Sequence, residues 1–161
     1  MQIERRISMM EQAFERQLKN SVAADTKVAT YIGINTTMLA VLAALVTGPA
    51  GLSFWTILLA AVSAAGLLLG LLFLTLSSTP RTSRATKSII FFGSIAKQST
   101  EAYAEAVKTV THEDYLDDLI RQTHRTAEIA TEKYRWIQRS QIAWYASILP
   151  WLLTVYALYR E

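Results

Sequence analysis

Cysteine is absent from this chain of 161 residues, which excludes a disulfide framework and any metal centre built on thiolates. Redox compartment is therefore unreadable. Histidine occurs only twice, as His112 and His124, a spacing that does not suit a two-histidine metal site on one helical turn. There is no phosphate loop, no dinucleotide fingerprint and no supported Ser/His/Asp order, so nothing points to an enzyme. Glycine and proline are scarce, at six and three residues, and neither occurs from Ser94 to Leu149. That stretch has no helix breaker. Charge is missing from three runs: Val28 to Val46, Phe54 to Leu76 and Ile142 to Tyr159. Each approaches the roughly 20 apolar residues that cross a bilayer as a helix.

What is present fits those gaps. Hydrophobic residues make up 52% of the chain, and mean hydropathy is +0.22. The pattern predicts an all-α membrane protein: three transmembrane helices with a cytoplasmic, coiled-coil-like helical extension. Segment 1–27 reads as an N-terminal cytoplasmic helix and 28–76 as a transmembrane hairpin. Segment 77–141 reads as a cytoplasmic helical sensor region, and 142–161 as a third span with a short exterior tail. Thr47-Gly48-Pro49-Ala50-Gly51-Leu52-Ser53 is the hairpin turn. The third run contains Pro150 and is rich in Trp and Tyr, so a helix lying on the membrane surface is its alternative reading. The first run is no signal peptide, because 27 residues carrying both signs of charge precede it. Lysine and arginine concentrate in 1–27 and 77–141, and the hairpin turn has none. The positive-inside rule then puts the N-terminus in the cytoplasm and the C-terminus outside.

The cytoplasmic part carries helix signals. Thr111-x-x-Asp114 is a capping box opening a long helix. Leu116, Ile120, Thr123, Ala127, Ala130, Tyr134 and Ile137 follow in steps of four and three, and Ile3, Ile7, Met10 and Phe14 keep the same rhythm. Both stretches run toward the membrane along the chain, so they are expected to pair in parallel, within one chain or between copies. A short helix is expected from Thr100 to about Val110.

Several constellations allow two readings. Asp25 and Lys27 straddle the entry to the first span, as interfacial anchors or as a coupling point to the cytoplasmic bundle. Asn35 lies at membrane depth, as helix glue or on a polar path. Gly66-Leu67-Leu68-Leu69-Gly70 allows close helix approach. Ser88-Ile89-Ile90-Phe91-Phe92-Gly93-Ser94-Ile95-Ala96 is either a hydrophobic plug or a ligand loop. In the second case Phe91 or Phe92 stacks on a base, Gly93 permits a turn or close approach, and Arg81, Arg84, Lys87 or Lys97 meets a phosphate. Glu113, Asp114, Asp117 and Asp118 crowd the first turns of the long helix, where its dipole favours them.

The order of these features resembles the transmembrane effector family of Pycsar, a bacterial anti-phage system. Ala24-Asp25-Thr26-Lys27 precedes a span containing Gly33-Ile34-Asn35. A second span ends in Pro80-Arg81. Phe91-Phe92-Gly93-Ser94-Ile95-Ala96 follows, then Ala127, Ala130, Lys133, Tyr134 and Arg135, then a closing span. The resemblance implies a membrane effector, not an enzyme, with no cofactor. Its activating ligand would be cyclic UMP or cyclic CMP made by a partner pyrimidine cyclase, and its output would be loss of inner-membrane integrity. It implies a ligand site among Arg81, Phe91, Phe92, Gly93, Lys133 and Arg135, with Asp25, Lys27, Asn35, Gly66 and Gly70 at interfaces. Nucleic acid is not an expected partner.

Segment 77–141 shows no strand-rich pattern, so a nucleotide would bind among helices and not in a β-roll. A pore would need several copies of so short a chain, which makes a homo-oligomer the expectation. Two other readings stay open. One is a membrane scaffold whose cytoplasmic helices recruit a soluble partner. The other is a subunit of an enzyme complex, disfavoured because no charged residue lies within a span.

Overall fold

A computed structural model describes residues 2–47, 53–79 and 88–160, apart from the Arg160 side chain. The described residues are 91% helical, with no strand among them. Five helices follow in order: α1 (Gln2–Val46), α2 (Phe54–Ser78), α3 (Phe92–Ile95), α4 (Thr100–Thr109) and α5 (His112–Arg160). Three of them, α1, α2 and α5, are long and apolar enough to span a membrane. The third run is therefore the end of a helix, with Pro150 inside it. The expected hairpin turn and Pro80, Arg81, Arg84 and Lys87 lie largely or wholly outside the described residues.

The chain divides into two compact units. A charged unit holds residues 1–23 and 80–131, and an apolar unit holds 24–79 and 132–161.

In the apolar unit each long helix buries one narrow stripe in steps of four and three. On α1 the buried residues are Ala24, Val28, Asn35 and Leu42. On α2 they are Thr56, Ala60, Ser63, Leu67, Gly70, Leu74 and Ser77. On α5, Ile137, Ser140, Ser147 and Thr154 are buried. A repeat of 3.5 residues keeps one seam facing its neighbours in a left-handed coiled arrangement. The outward faces carry exposed Ile57, Leu58, Val62, Leu68, Leu69 and Leu72. These faces are thus largely apolar, as lipid contact requires, while the buried stripes alternate large apolar residues (Leu42, Leu67, Leu74, Ile137) with small ones.

Contacts fix the directions. Asp25 meets Lys133, Tyr31 meets Gln141, and Met38 meets Trp144 and Trp151. Those partners advance together, so α1 and α5 run parallel in this unit. Ser77 donates to the Lys133 carbonyl at 3.3 Å, while Ser147 packs against Gly66, so α2 runs antiparallel to α5. An apolar core of Ala24, Val28, Leu74 and Ile137 closes one end. Indole N–H groups donate to Met38 Sδ from Trp144 at 3.2 Å and to the Met38 carbonyl from Trp151 at 3.0 Å, giving both large rings a polar anchor.

In the charged unit the Thr111 hydroxyl caps α5 as the sequence predicts. It accepts the Asp114 N–H at 3.1 Å and donates to the Asp114 carboxylate at 2.7 Å. Helix α4 also matches its expected span, and the Ser99 hydroxyl caps it by accepting the Ala102 N–H. The Tyr115 hydroxyl donates to Glu11 at 3.0 Å, joining α5 to α1. Burial, then the Glu11 carboxylate, raise the Tyr115 hydroxyl above its ordinary value, so it remains a donor. The expected stripe on α5 needs one correction. Ile120 is 45% exposed and Leu119 is 2% exposed, so the buried line here includes Leu119, next to Asp118, which holds the segment from Ser88.

Candidate ligand-binding site

The charged unit contains a cavity of about 800 Å³, within the range of roughly 300–1,000 Å³ typical of small-molecule pockets. Three pieces of chain wall it: segment 88–98, one face of α4, and the first turns of α5. Ala102, Ala106 and Val110 recur at helical spacing and give α4 an apolar wall. Asp114, Asp118 and Arg121 share one face of α5 by the same spacing.

A buried latch holds segment 88–91 against α5. Asp118 is 5% exposed and Ser88 is 4% exposed. The Asp118 carboxylate accepts the Ser88 hydroxyl at 2.8 Å and the Ile89 N–H at 3.0 Å, and Gln122 donates to its other oxygen at 3.3 Å. Ser88 Oγ in turn accepts the N–H groups of Ile90 at 3.2 Å and Phe91 at 3.0 Å. A carboxylate taken out of water needs such a set of donors. The Tyr103 hydroxyl adds a bond to the Ile89 carbonyl at 3.1 Å, fastening α4 to the same strand of chain.

The wall carries two acids and two cations and is formally neutral, but the two pairs differ in how they are engaged. Both acids on its wall are engaged, Asp114 by the Thr111 cap and Asp118 by the latch. Both cations on its wall, Lys97 and Arg121, have no hydrogen bond or ion pair among the described residues. Gln98 donates its amide N–H to the Ser94 carbonyl at 3.2 Å, which leaves its own carbonyl oxygen facing outward from that bond. The cavity thus offers two uncommitted positive groups, an amide and an apolar wall. That combination suits a small anion carrying a flat polar ring. Among the described residues no cluster of His, Asp and Glu could hold a metal ion.

The residues singled out in the sequence are distributed between the two units. Phe91, Phe92 and Gly93 lie in the charged unit at the start of α3, beside the cavity but not on its wall. Their rings pack against each other at an interplanar angle of 49° with centroids 4.7 Å apart, and Phe92 is 69% exposed. Gly93 is not a turn glycine, since no described glycine has a positive φ. Its role is close approach to Phe91: a Cβ there would stand 2.5 Å from that ring's Cε1. The motif aims its next residue, buried Ser94, at the cavity. Lys133 and Arg135 lie in the apolar unit. Lys133 is held by Asp25 at 2.7 Å, and Lys27 sits 5.0 Å over the Tyr134 ring. Arg81 lies outside the described residues. In the apolar unit Asn35, Gly70 and Ser140 meet, one from each long helix. Gly66 lies so close to Ser147 that a Cβ would collide with its hydroxyl.

Sequence reasoning missed the latch and Arg121. The spacing of Asp114, Asp118 and Arg121 was a usable signal, but reading the acids as a dipole effect hid their different partners. It also missed a seven-residue series of small residues: Thr56, Ser63, Gly70 and Ser77 on α2, and Ser140, Ser147 and Thr154 on α5.

Comparison with known proteins adds a family. No curated protein and no solved structure matches the chain. Residues 9–160 match the Pycsar effector protein domain, which spans both units and all three long helices. The chain therefore belongs to the Pycsar effector family, as a transmembrane protein with a role in Pycsar anti-phage defence.

Proposed function

We propose that this protein is a non-enzymatic effector that binds a cyclic pyrimidine nucleotide, cyclic UMP or cyclic CMP, in its charged unit and then impairs the inner membrane. The observation that carries the reading is the cavity between Lys97 and Arg121. A cyclic nucleotide is one phosphodiester anion joined to a flat, hydrogen-bonding base. Lys97 and Arg121 would hold the phosphate. Gln98 would face the polar edge of the base, and Ala102 and Ala106 its faces. Family membership supports a link to cyclic nucleotide signalling; a partner pyrimidine cyclase would act on this protein through the nucleotide alone. The positive-inside distribution supports a cytoplasmic N-terminus and charged unit. Copies of the chain would assemble, because three spans enclose little, and nucleotide would favour whichever assembly binds it more tightly.

Nucleotide binding by purified protein in detergent, measured by calorimetry, tests the site. Lys97→Glu and Arg121→Glu should each abolish detectable binding of the nucleotide that the parent binds. Arg81→Glu and Arg135→Glu form the competing pair. If that pair abolishes binding while Lys97→Glu and Arg121→Glu retain it, the ligand sits elsewhere. Dye entry into cells supplied with each nucleotide tests the output. The scaffold reading gains if the membrane stays sealed at verified expression.

A further inference from the structure

The interior of the apolar unit is more polar than packing requires. Small residues, all polar but Gly70, repeat every seventh position on α2 and α5 and alternate there with buried apolar residues such as Leu67, Leu74 and Ile137. Asn35, Ser63, Ser140 and Thr154 are 0% exposed. Most of the hydroxyls are satisfied locally. Ser63 donates to the Leu59 carbonyl at 2.9 Å, Ser147 to Ala143 at 2.7 Å and Thr154 to Pro150 at 2.8 Å. Each of those oxygens keeps acceptor capacity. Two atoms have no partner: Asn35 Oδ1 and Ser140 Oγ. Both face Gly70, where a Cβ would stand 3.0 Å from the first and 3.5 Å from the second. Oxygen at that depth goes unpaired at a cost, since lipid offers no donor. Alanine would pack these positions equally closely without that cost.

We infer that this seam, centred on Asn35, Gly70 and Ser140, is the surface over which water and small monovalent cations cross the membrane once the helices part. The inference rests on the membrane-impairing function proposed above and deepens it: the damage is a defined polar path, not a general rupture of lipid. Neutral oxygens suit the task. Carbonyl and hydroxyl groups replace a cation's hydration shell without trapping it, as a buried carboxylate would. In the bundle described here the seam is closed, and the hydroxyls of Ser63, Ser147 and Thr154 are returned to their own helices. Parting the helices would free those lone pairs for water and ions at no loss of backbone bonding.

The absence of native cysteine makes the test clean. Ser63→Cys and Ser140→Cys change one atom each, on two different helices, so one variant serves if the other misfolds. Leu68→Cys and Leu72→Cys on the outward face are the controls. Each variant is reconstituted as the full chain in liposomes and potassium efflux is followed with cyclic UMP or cyclic CMP. A charged, membrane-impermeant thiol reagent is then added. The expected result is modification of the seam cysteines only with the activating nucleotide, with loss of efflux, and no effect at Leu68→Cys or Leu72→Cys. Normal efflux with unreactive seam cysteines overturns this inference and leaves the proposed function standing. Equal reaction at seam and outward cysteines means general rupture and also overturns it. No efflux in the parent with either nucleotide overturns the proposed function, and this inference falls with it.

Discussion

Lys133 Nζ lies 2.7 Å from Asp25 Oδ1, joining α5 to α1 within the apolar unit. The Lys133 side chain is 17% exposed and Asp25 is 55% exposed. The pair is thus half in water, and its stabilisation is screened toward the surface value of about 1 kcal/mol or less. Removing Asp25 has a second effect, because the less exposed Lys133 ammonium then loses its counter-charge. Asp25→Ala is expected to destabilise the protein by about 1 kcal/mol, and Lys133→Met by less, since it leaves the more solvated partner behind. A double-mutant cycle in detergent, read by thermal unfolding at low and high salt, checks this. A coupling energy that does not shrink with salt would contradict the assignment.

Gly66 and Gly70 were one motif in sequence but meet different neighbours. A Cβ on Gly66 would collide with Ser147 Oγ and would also stand 3.3 Å from Ser147 Cβ and 3.4 Å from the Ala143 carbonyl. A Cβ on Gly70 meets only Asn35 Oδ1 at 3.0 Å and Ser140 Oγ at 3.5 Å within that shell. Side-chain ends can shift where backbone cannot. Gly66→Ala is therefore expected to cost about 1–3 kcal/mol of overpacking, and Gly70→Ala less. Ser147→Ala in the Gly66→Ala background removes the colliding oxygen and should recover part of the loss. Thermal unfolding of the two single variants and the pair decides it; no recovery means the backbone carries the strain.

Legibility in the sequence followed the range of each cause. Local signals were read correctly: the Thr111 and Asp114 cap, the limits of α4 and the three apolar spans all depend on residues within one or two helical turns. Long-range partners were not legible. Asp118 looks like Asp117 in sequence, and only the return of Ser88 to α5 makes it a latch. The pairing of Lys133 with Asp25 spans 108 positions of sequence and needs α1 and α5 side by side. Ile120 fits the apolar rhythm of the sequence, yet it is exposed while its neighbour Leu119 is buried.

Glu101 gives α4 an acid dependence. It sits in the first turn, where its own N–H and then the Ser99 hydroxyl hold its carboxyl below the ordinary value. A depressed folded-state value means that the stabilisation is present above the ordinary carboxylate value. It is lost as pH falls through the folded one. Acid below the ordinary carboxylate value should therefore loosen α4, the apolar wall of the cavity. Glu101→Gln should flatten that portion of the response. Amide hydrogen exchange across residues 100–109 between neutral and acidic pH, corrected for the intrinsic rate, measures it. An unchanged pH response in Glu101→Gln would assign the effect to another carboxylate.

The Asp118 latch separates loss of the cavity from loss of charge. Asp118→Ala leaves the Ser88 hydroxyl and the Ile89 N–H without their acceptor in a buried site. Hydrogen bonds to an ionised, buried group are worth about 1.5–3 kcal/mol, so a loss of about 2–3 kcal/mol is expected after partial relaxation. Asp118→Asn keeps an acceptor oxygen and should cost about half as much. Ser88→Ala removes the acceptor of the Ile90 and Phe91 N–H groups and should resemble Asp118→Ala in loosening the segment. None of these residues carries the positive charge proposed to grip phosphate. Each should therefore weaken nucleotide binding in proportion to its loss of stability, whereas Arg121→Glu should abolish binding with little change in unfolding temperature. Paired calorimetry and thermal unfolding across the four variants test that contrast. Binding that survives in Asp118→Ala, with the segment visibly released in hydrogen exchange, would show that the ligand does not use this cavity wall.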